Sequence, residues 1–175
     1  IGVRRPGSGG GESAPTIVIQ SHVDMVCEKN AETEHDFSRD PIRLLRDGDW
    51  LTADGTTLGA DNGIGVATAL ALLEMAADAR LPPLECLFTV DEETGLTGAF
   101  ALDGALLRGR TMLNLDTEEW GAICIGCAGG GDSELALPVS REASPGDYLS
   151  FQLSVEGLMG GHSGVNIHEY RANAI

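Results

Sequence analysis

The chain has 175 residues, enough for one ordinary domain with its own core, or for one domain and the start of a second. Its formal net charge of −16 at pH 7 repels phosphate backbones and argues against nucleic acid as a partner. No stretch approaches the roughly 18 consecutive apolar residues of a membrane span, so no membrane association is expected.

The first residue is Ile1, and a polar Gly/Ser/Pro run over 6–15 follows instead of a signal peptide, so the natural start is expected to lie upstream. Cys27, Cys86, Cys124 and Cys127 stand in a chain without secretory features, which points to reduced thiols and a cytoplasmic location. Cys124 and Cys127 form a C-x-x-C without a second pair to complete a zinc ribbon, and are expected in packing and turn roles.

In chain order, Thr16-Ile17-Val18-Ile19-Gln20 is a β-branched run of the kind buried on both faces of a sheet. It predicts a strand over 16–20 with His22 and Asp24 at its C-terminal end. From 28 to 54 the chain is polar and irregular, with a short strand at Trp50-Leu51-Thr52; long ordered loops usually serve a site. The clearest helix spans 62–77, where Ile64, Ala67, Leu70, Ala71, Leu73 and Ala77 are helix-periodic or helix-favouring and Gly63 and Gly65 crowd the first turn. Its N-terminus abuts Asp61. Pro82-Pro83 breaks the chain before a second buried strand over 84–90, which runs into Asp91-Glu92-Glu93, and a third strand over 112–115 ends at Asp116.

Strand, helix, strand, a Gly-punctuated helical stretch and strand is the α/β order, which predicts a largely parallel sheet with flanking helices. Residues 122–124 also read as a strand. Beyond Gly131, segments 133–139 and 148–155 alternate apolar and polar residues as an antiparallel sheet with one wet face does, and a helix is expected to start near 167. A boundary near Gly130 therefore divides an α/β domain over 1–130 from the start of an α+β domain over 131–175.

Strand ends deliver rigid groups to one point, and here each predicted strand runs out into an acid or an imidazole. Zinc hydrolases bind metal through neutral imidazole and carboxylate, and orient the imidazole by giving its other N–H to an acid. His22 and Asp24 are two apart on an extended segment and project to the same side, so Asp24 either braces the ring or binds metal itself. Asp61 has small neighbours in Gly59-Ala60-Asp61-Asn62-Gly63 that let a metal approach; alone, it reads more readily as a helix N-cap than as a ligand. Glu92 and Glu93 are adjacent acids that repel unless a cation or proton compensates, and their side chains alternate, so one can ligate while the other faces substrate. Asp116, before Thr117, is either a turn residue or a further ligand. Chance would have to place acids after three buried strands and at one helix start.

These residues, with Glu34-His35-Asp36-Phe37, Asp40-Pro41-Ile42, Gly55-Thr56-Thr57-Leu58-Gly59, Thr94-Gly95-Leu96 and Gly126-Cys127-Ala128-Gly129-Gly130, resemble the dinuclear-zinc peptidase family that contains aminoacylases, bacterial carboxypeptidases and tripeptidases. Within it the likeness is to the subgroup that cleaves Xaa-His dipeptides. The resemblance implies two Zn2+ per complete site, with other divalent metals as substitutes. Asp61 would bridge the ions, His22 and Asp116 would complete one metal's protein ligands, and Glu93 would bind the other. Glu92 would be the general base and Asp24 the partner of His22. The Asp61–Asn62 bond would be cis, an arrangement that is costly for a non-proline residue. Gly161-His162-Ser163-Gly164 resembles the lid segment whose histidine reaches into a partner's active site in related homodimers, so His162 would stabilise the oxyanion. Arg171 would belong to a lid helix.

By the same resemblance, 1–130 is the first part of a catalytic domain and 131–175 the start of a lid and dimerisation domain. The family's second metal takes a further His from sequence after the lid, and neither His35 nor His168 has that context, so the chain is expected to be a fragment with little activity alone. The implied reaction is zinc-dependent dipeptide hydrolysis. Alternatives from the same residues are tripeptide or N-acyl amino acid hydrolysis, and a non-catalytic metal-binding relative.

Overall fold

A computed structural model describes residues 1–117, 119–126, 133–160, 166 and 168–171. The chain divides into two units, Ile1–Cys127 and Ala128–Ile175. In chain order the first unit contains β1 (Gly2–Arg5), β2 (Ile17–His22), β3 (Leu44–Asp47), β4 (Trp50–Ala53), α1 (Ala60–Glu74), β5 (Leu84–Thr89), the short α2 (Thr97–Phe100), a 3-10 turn (Gly104–Leu106) and β6 (Thr111–Asn114). Among the described residues, no helix is long and apolar enough to cross a membrane.

Four strands form one sheet in the order β1-β5-β2-β6. β2 runs parallel to both β5 and β6, while β1 is an antiparallel edge. The fold is therefore mixed α/β with a mostly parallel sheet and few helices, as the strand–helix–strand order predicts. β5 is buried at every position and β2 at four of six, in keeping with their near-continuous apolar character. β3 and β4 pair separately as a hairpin whose apolar side chains Leu44, Trp50 and Leu51 are exposed.

α1 covers one sheet face, where Ile19, Leu84, Cys86 and Phe88 meet Ala69, with Val66, Leu72, Leu73 and Leu115 packed alongside. The stripe that faces the sheet is Asn62, Gly65 and Ala69, at helical spacing, and not the one through Ile64 and Leu70, which are exposed. Small residues bring the helix axis close to the strands, and this close approach selected the face. A Cβ on Gly65 would stand 2.4 Å from Asn62 Oδ1 and 2.9 Å from the Leu115 carbonyl oxygen, so no other residue fits. Regular helix geometry starts only after Asn62: Gly59 caps the helix with a left-handed φ of 76°, Asp61 and Asn62 have non-helical dihedrals, and the bond between them is cis. The helix also ends at Glu74, three residues before the expected limit, where the Arg5 guanidinium donates to the Met75 and Ala76 carbonyls.

Three expected strands are not formed. Residues 122–124, 133–139 and 148–155 have no strand assignment, and Leu135, Leu137, Phe151 and Leu153 are exposed. Alternation supplies a strand with two faces, but a strand also needs a neighbour for its N–H and C=O groups, and no partner pairs with these segments among the described residues. The expected helix start near 167 falls largely outside the described residues; Arg171, in no helix, pairs with Glu169 at 2.7 Å.

On the sheet face away from α1, Glu85 is buried yet ionised. It accepts N–H groups from Arg108 at 2.7 Å and Gly109 at 2.9 Å and pairs with Arg4 Nε at 2.9 Å, tying β1, β5 and the approach to β6 together. Burial raises its pKa, but the Gly109 N–H, the Arg4 side chain and the Arg108 N–H outweigh burial and hold it below the ordinary carboxylate value. A depressed folded pKa adds stability above the unfolded value of about 4.3, and that stability is lost as pH falls through the lower folded value. Glu85→Gln should cost about 2 kcal/mol in urea unfolding at pH 7 and much less below pH 3. An equal loss at both pH values would show that the charge is not what ties these segments.

Candidate metal centre

The C-terminal edge of the parallel strands gathers the polar groups. Register sets their level: His22 lies opposite Thr89, and Gln20 lies opposite Asn114, so continuing the ladder by two residues brings Asp116 level with His22. Glu92 and Glu93 follow β5 in a turn that includes Asp91 at a positive φ of 54°. Asp61 arrives from the first turn of α1.

His22 is 1% exposed and is the pivot. Its Nδ1 faces Asp24, 3.0 Å from the main-chain oxygen and 3.4 Å from Oδ1. Its Nε2 faces Asp61 Oδ1 at 3.1 Å, Asp116 Oδ1 at 3.6 Å and Glu92 Oε2 at 3.9 Å. Ligand atoms of His22, Asp61 and Glu93 lie within 4.8 Å of one another, a grouping able to hold a metal ion. Asp24 is tied to the same centre through Glu93, whose N–H donates to Asp24 Oδ2 at 3.1 Å, while Asp24 Oδ1 is buried with no hydrogen bond. The six candidates His22, Asp24, Asp61, Glu92, Glu93 and Asp116 are thus brought to one place. His162 lies outside the described residues.

The electrostatics are those of crowded acids. Burial, then contact with Asp61 and Glu92, pushes Asp116 up to about 6 despite the opposing effect of His22. Burial and the neighbouring charges of Asp61 and Glu92 also raise Glu93. Burial works to lower His22, but Asp116, the Asp61 hydrogen bond, the Asp24 carbonyl and Glu92 outweigh it and raise its pKa. Asp24 is lowered: burial opposes its charge, but the main-chain N–H groups of Glu93, Glu92 and Asp24 itself, with His22, prevail. Both ring nitrogens of His22 face only acceptors. With Nδ1–H given to Asp24, Nε2 confronts carboxylates across a gap that a proton or a cation fills, so the donor set of imidazole and carboxylate fits a divalent metal such as zinc.

Asn62 is the residue that sequence reasoning missed. Buried at the start of α1, it accepts the His22 N–H through Oδ1 at 3.3 Å and donates through Nδ2 to Asp116 Oδ1 at 2.8 Å. Its only signal in the sequence is its place beside Asp61 in a glycine-flanked motif.

Among curated proteins, the chain is 49% identical to the cytosol non-specific dipeptidase of Escherichia coli (strain K12) over 174 residues, which is 98% of this chain and 35% of that protein. Among solved structures, it matches aminoacylhistidine dipeptidase from Vibrio alginolyticus with a TM-score of 0.71 and 43% identity, covering 99% of this chain and 35% of that one. The aminopeptidase PepT of Bacillus cereus shares the fold, with a TM-score of 0.53 and 24% identity over 67% of this chain and 29% of its own. No protein-family model matches the chain. The resemblance drawn from the motifs therefore holds over nearly the whole chain, which spans about a third of the length of these relatives, 35% of the first two.

Because Asp116 and Glu93 hold protons more tightly than free acids, protons and metal compete for the same oxygens. The rise in Tm on adding zinc is expected to be larger at pH 7 than at pH 5, as read by thermal melts. Equal shifts would place the bound ion elsewhere.

Proposed function

We propose that this chain carries part of the active site of a two-zinc dipeptidase that hydrolyses the amide of short peptides, Xaa-His dipeptides among them. The observation that carries the reading is the ring of Asp61, Asp116 and Glu92 about His22 Nε2, with Glu93 beside it. Two similar proteins support it by name, and their names differ in selectivity: one is a non-specific dipeptidase, the other an aminoacylhistidine dipeptidase.

In this reading His22, Asp61, Glu93 and Asp116 would hold the ions, with Asp61 serving both, His22 and Asp116 one, and Glu93 the other. Bound zinc supplies a lowered pKa for water and polarisation of the scissile carbonyl. Asp24 keeps the His22 ring in one tautomer and orientation by holding Nδ1–H. Glu92 is the general base. Its side chain is 30% exposed, so it opens towards solvent while standing 3.9 Å from His22 Nε2, and it takes the proton of the attacking water and passes it to the leaving amine. His162 stabilises charge on the carbonyl oxygen, from a lid and dimerisation domain over 131–175 that follows a catalytic domain over 1–130. The protein acts as a homodimer in the cytoplasm, a location its Escherichia coli relative's name supports.

Glu92→Gln in the full-length protein is expected to lower kcat by roughly 10²- to 10⁴-fold with zinc content unchanged, measured by dipeptide turnover and metal analysis. Zinc lost together with activity would make Glu92 a ligand. A substrate panel of dipeptides, tripeptides and N-acyl amino acids separates the peptidase specificities, and zinc uptake without turnover of any of them would make the protein a non-catalytic relative.

A further inference from the structure

We infer that Asn62 is a positioning residue of the metal centre, its side-chain amide fixing the separation of His22 and Asp116. The inference rests on the metal-dependent reading of that site. β2 and β6 pair as far as Gln20 and Asn114, and the Leu115 N–H donates to the Gln20 carbonyl at 3.0 Å. β6 ends at Asn114 while β2 runs on to His22, so pairing between the two stops just where each presents a proposed ligand. Asn62 spans that gap. Its Oδ1 accepts the His22 N–H at 3.3 Å, and its Nδ2 donates to the Leu115 carbonyl at 2.5 Å and to Asp116 Oδ1 at 2.8 Å.

An amide is the side chain that satisfies this gap. One side offers an N–H and needs an acceptor; the other offers two oxygens and needs two donors. A carboxylate of the same shape would turn an oxygen towards the Leu115 carbonyl and Asp116, and an alanine would leave the buried groups unpaired. Asn62 is 4% exposed, so water does not replace it readily. The space is also fitted to it: the missing side chain of Gly65 is what leaves room for Asn62 Oδ1, which a Cβ would meet at 2.4 Å. With Nδ2–H on Asp116 Oδ1, the oxygen that stands 3.6 Å from His22 Nε2, the carboxylate is held in one rotation towards the centre. Hydrogen-bonding partners of this kind set ligand orientation, and their loss typically weakens metal binding by roughly 10- to 100-fold.

The test compares the full-length protein with its Asn62→Ala and Asn62→Asp variants. Zinc affinity is read by chelator competition, and ligand geometry by the visible absorption band of the Co2+-substituted protein, both at a temperature where every variant is folded. Asn62→Asp preserves shape and keeps the experiment decisive where Asn62→Ala fails to fold. Glu85→Gln, which weakens the fold away from the metal centre, is the comparison. Both Asn62 variants are expected to bind zinc roughly 10- to 100-fold more weakly with a shifted Co2+ band, and Glu85→Gln to leave both unchanged. Asn62 variants with parental affinity and an unshifted band, differing only in Tm, would overturn the inference and leave Asn62 a fold-stabilising residue. A parent protein that takes up no zinc would instead overturn the metal-dependent reading, and the inference with it.

Discussion

The acids at the strand ends repel one another, and among the described residues the side chain of opposite tendency at their centre is one buried imidazole. Asp61, Asp116 and Glu92 all stand within 3.9 Å of His22 Nε2. At an effective dielectric of about 20, two like charges 4 Å apart repel by about 4 kcal/mol, so a fold does not collect three of them without compensation. One compensation is protonation, and crowding and burial accordingly raise the pKa values of Asp116 and Glu93, as the surrounding acids raise that of His22. A divalent cation does the same without a proton and with directional bonds. The need for positive charge at this point explains why a protein would hold so unfavourable a cluster.

The rest of the fold serves to hold that cluster in place. Parallel strands end at the same level and point the same way, so three of them supply His22, the Glu92-Glu93 pair and Asp116 to one edge of the sheet. α1, drawn close by Gly65 and Ala69, adds Asp61 and Asn62 from one face. On the other face Glu85 ties Arg4, Arg108 and Gly109 to the central strand with charge-assisted hydrogen bonds. Packing and polar ties thus stand along the strands, and the chemistry at their ends.

Much of this was legible in the sequence because it is written in short-range patterns. The β-branched run before His22, the apolar run before Asp91 and the helix after Asp61 each announce themselves within a window of ten residues or so, and each ends on the residue that enters the centre. β1 was not legible: Gly2-Val3-Arg4-Arg5 has no alternation, and it is a strand because β5 offers it an edge. β3 was hidden for the same reason, its pairing with β4 being its only support. The role of Asn62 depends on two strand ends that meet only in three dimensions. The reverse error occurred over 133–155, where a period of two suggested strands that have no partner among the described residues. Local pattern gives the faces of an element; pairing decides whether the element exists.

The four strands are not equally supported, and this bears on which ligand depends most on a tie from outside its own strand. β5 is buried at every position between two neighbours, whereas β6 is an edge strand exposed at all four of its residues. Edge segments with few buried contacts open at lower free energy than central ones. The Glu92-Glu93 corner therefore follows the most buried strand of the sheet and Asp116 an exposed one, so the amide of Asn62 does for Asp116 what burial on both sides does for the acids after β5.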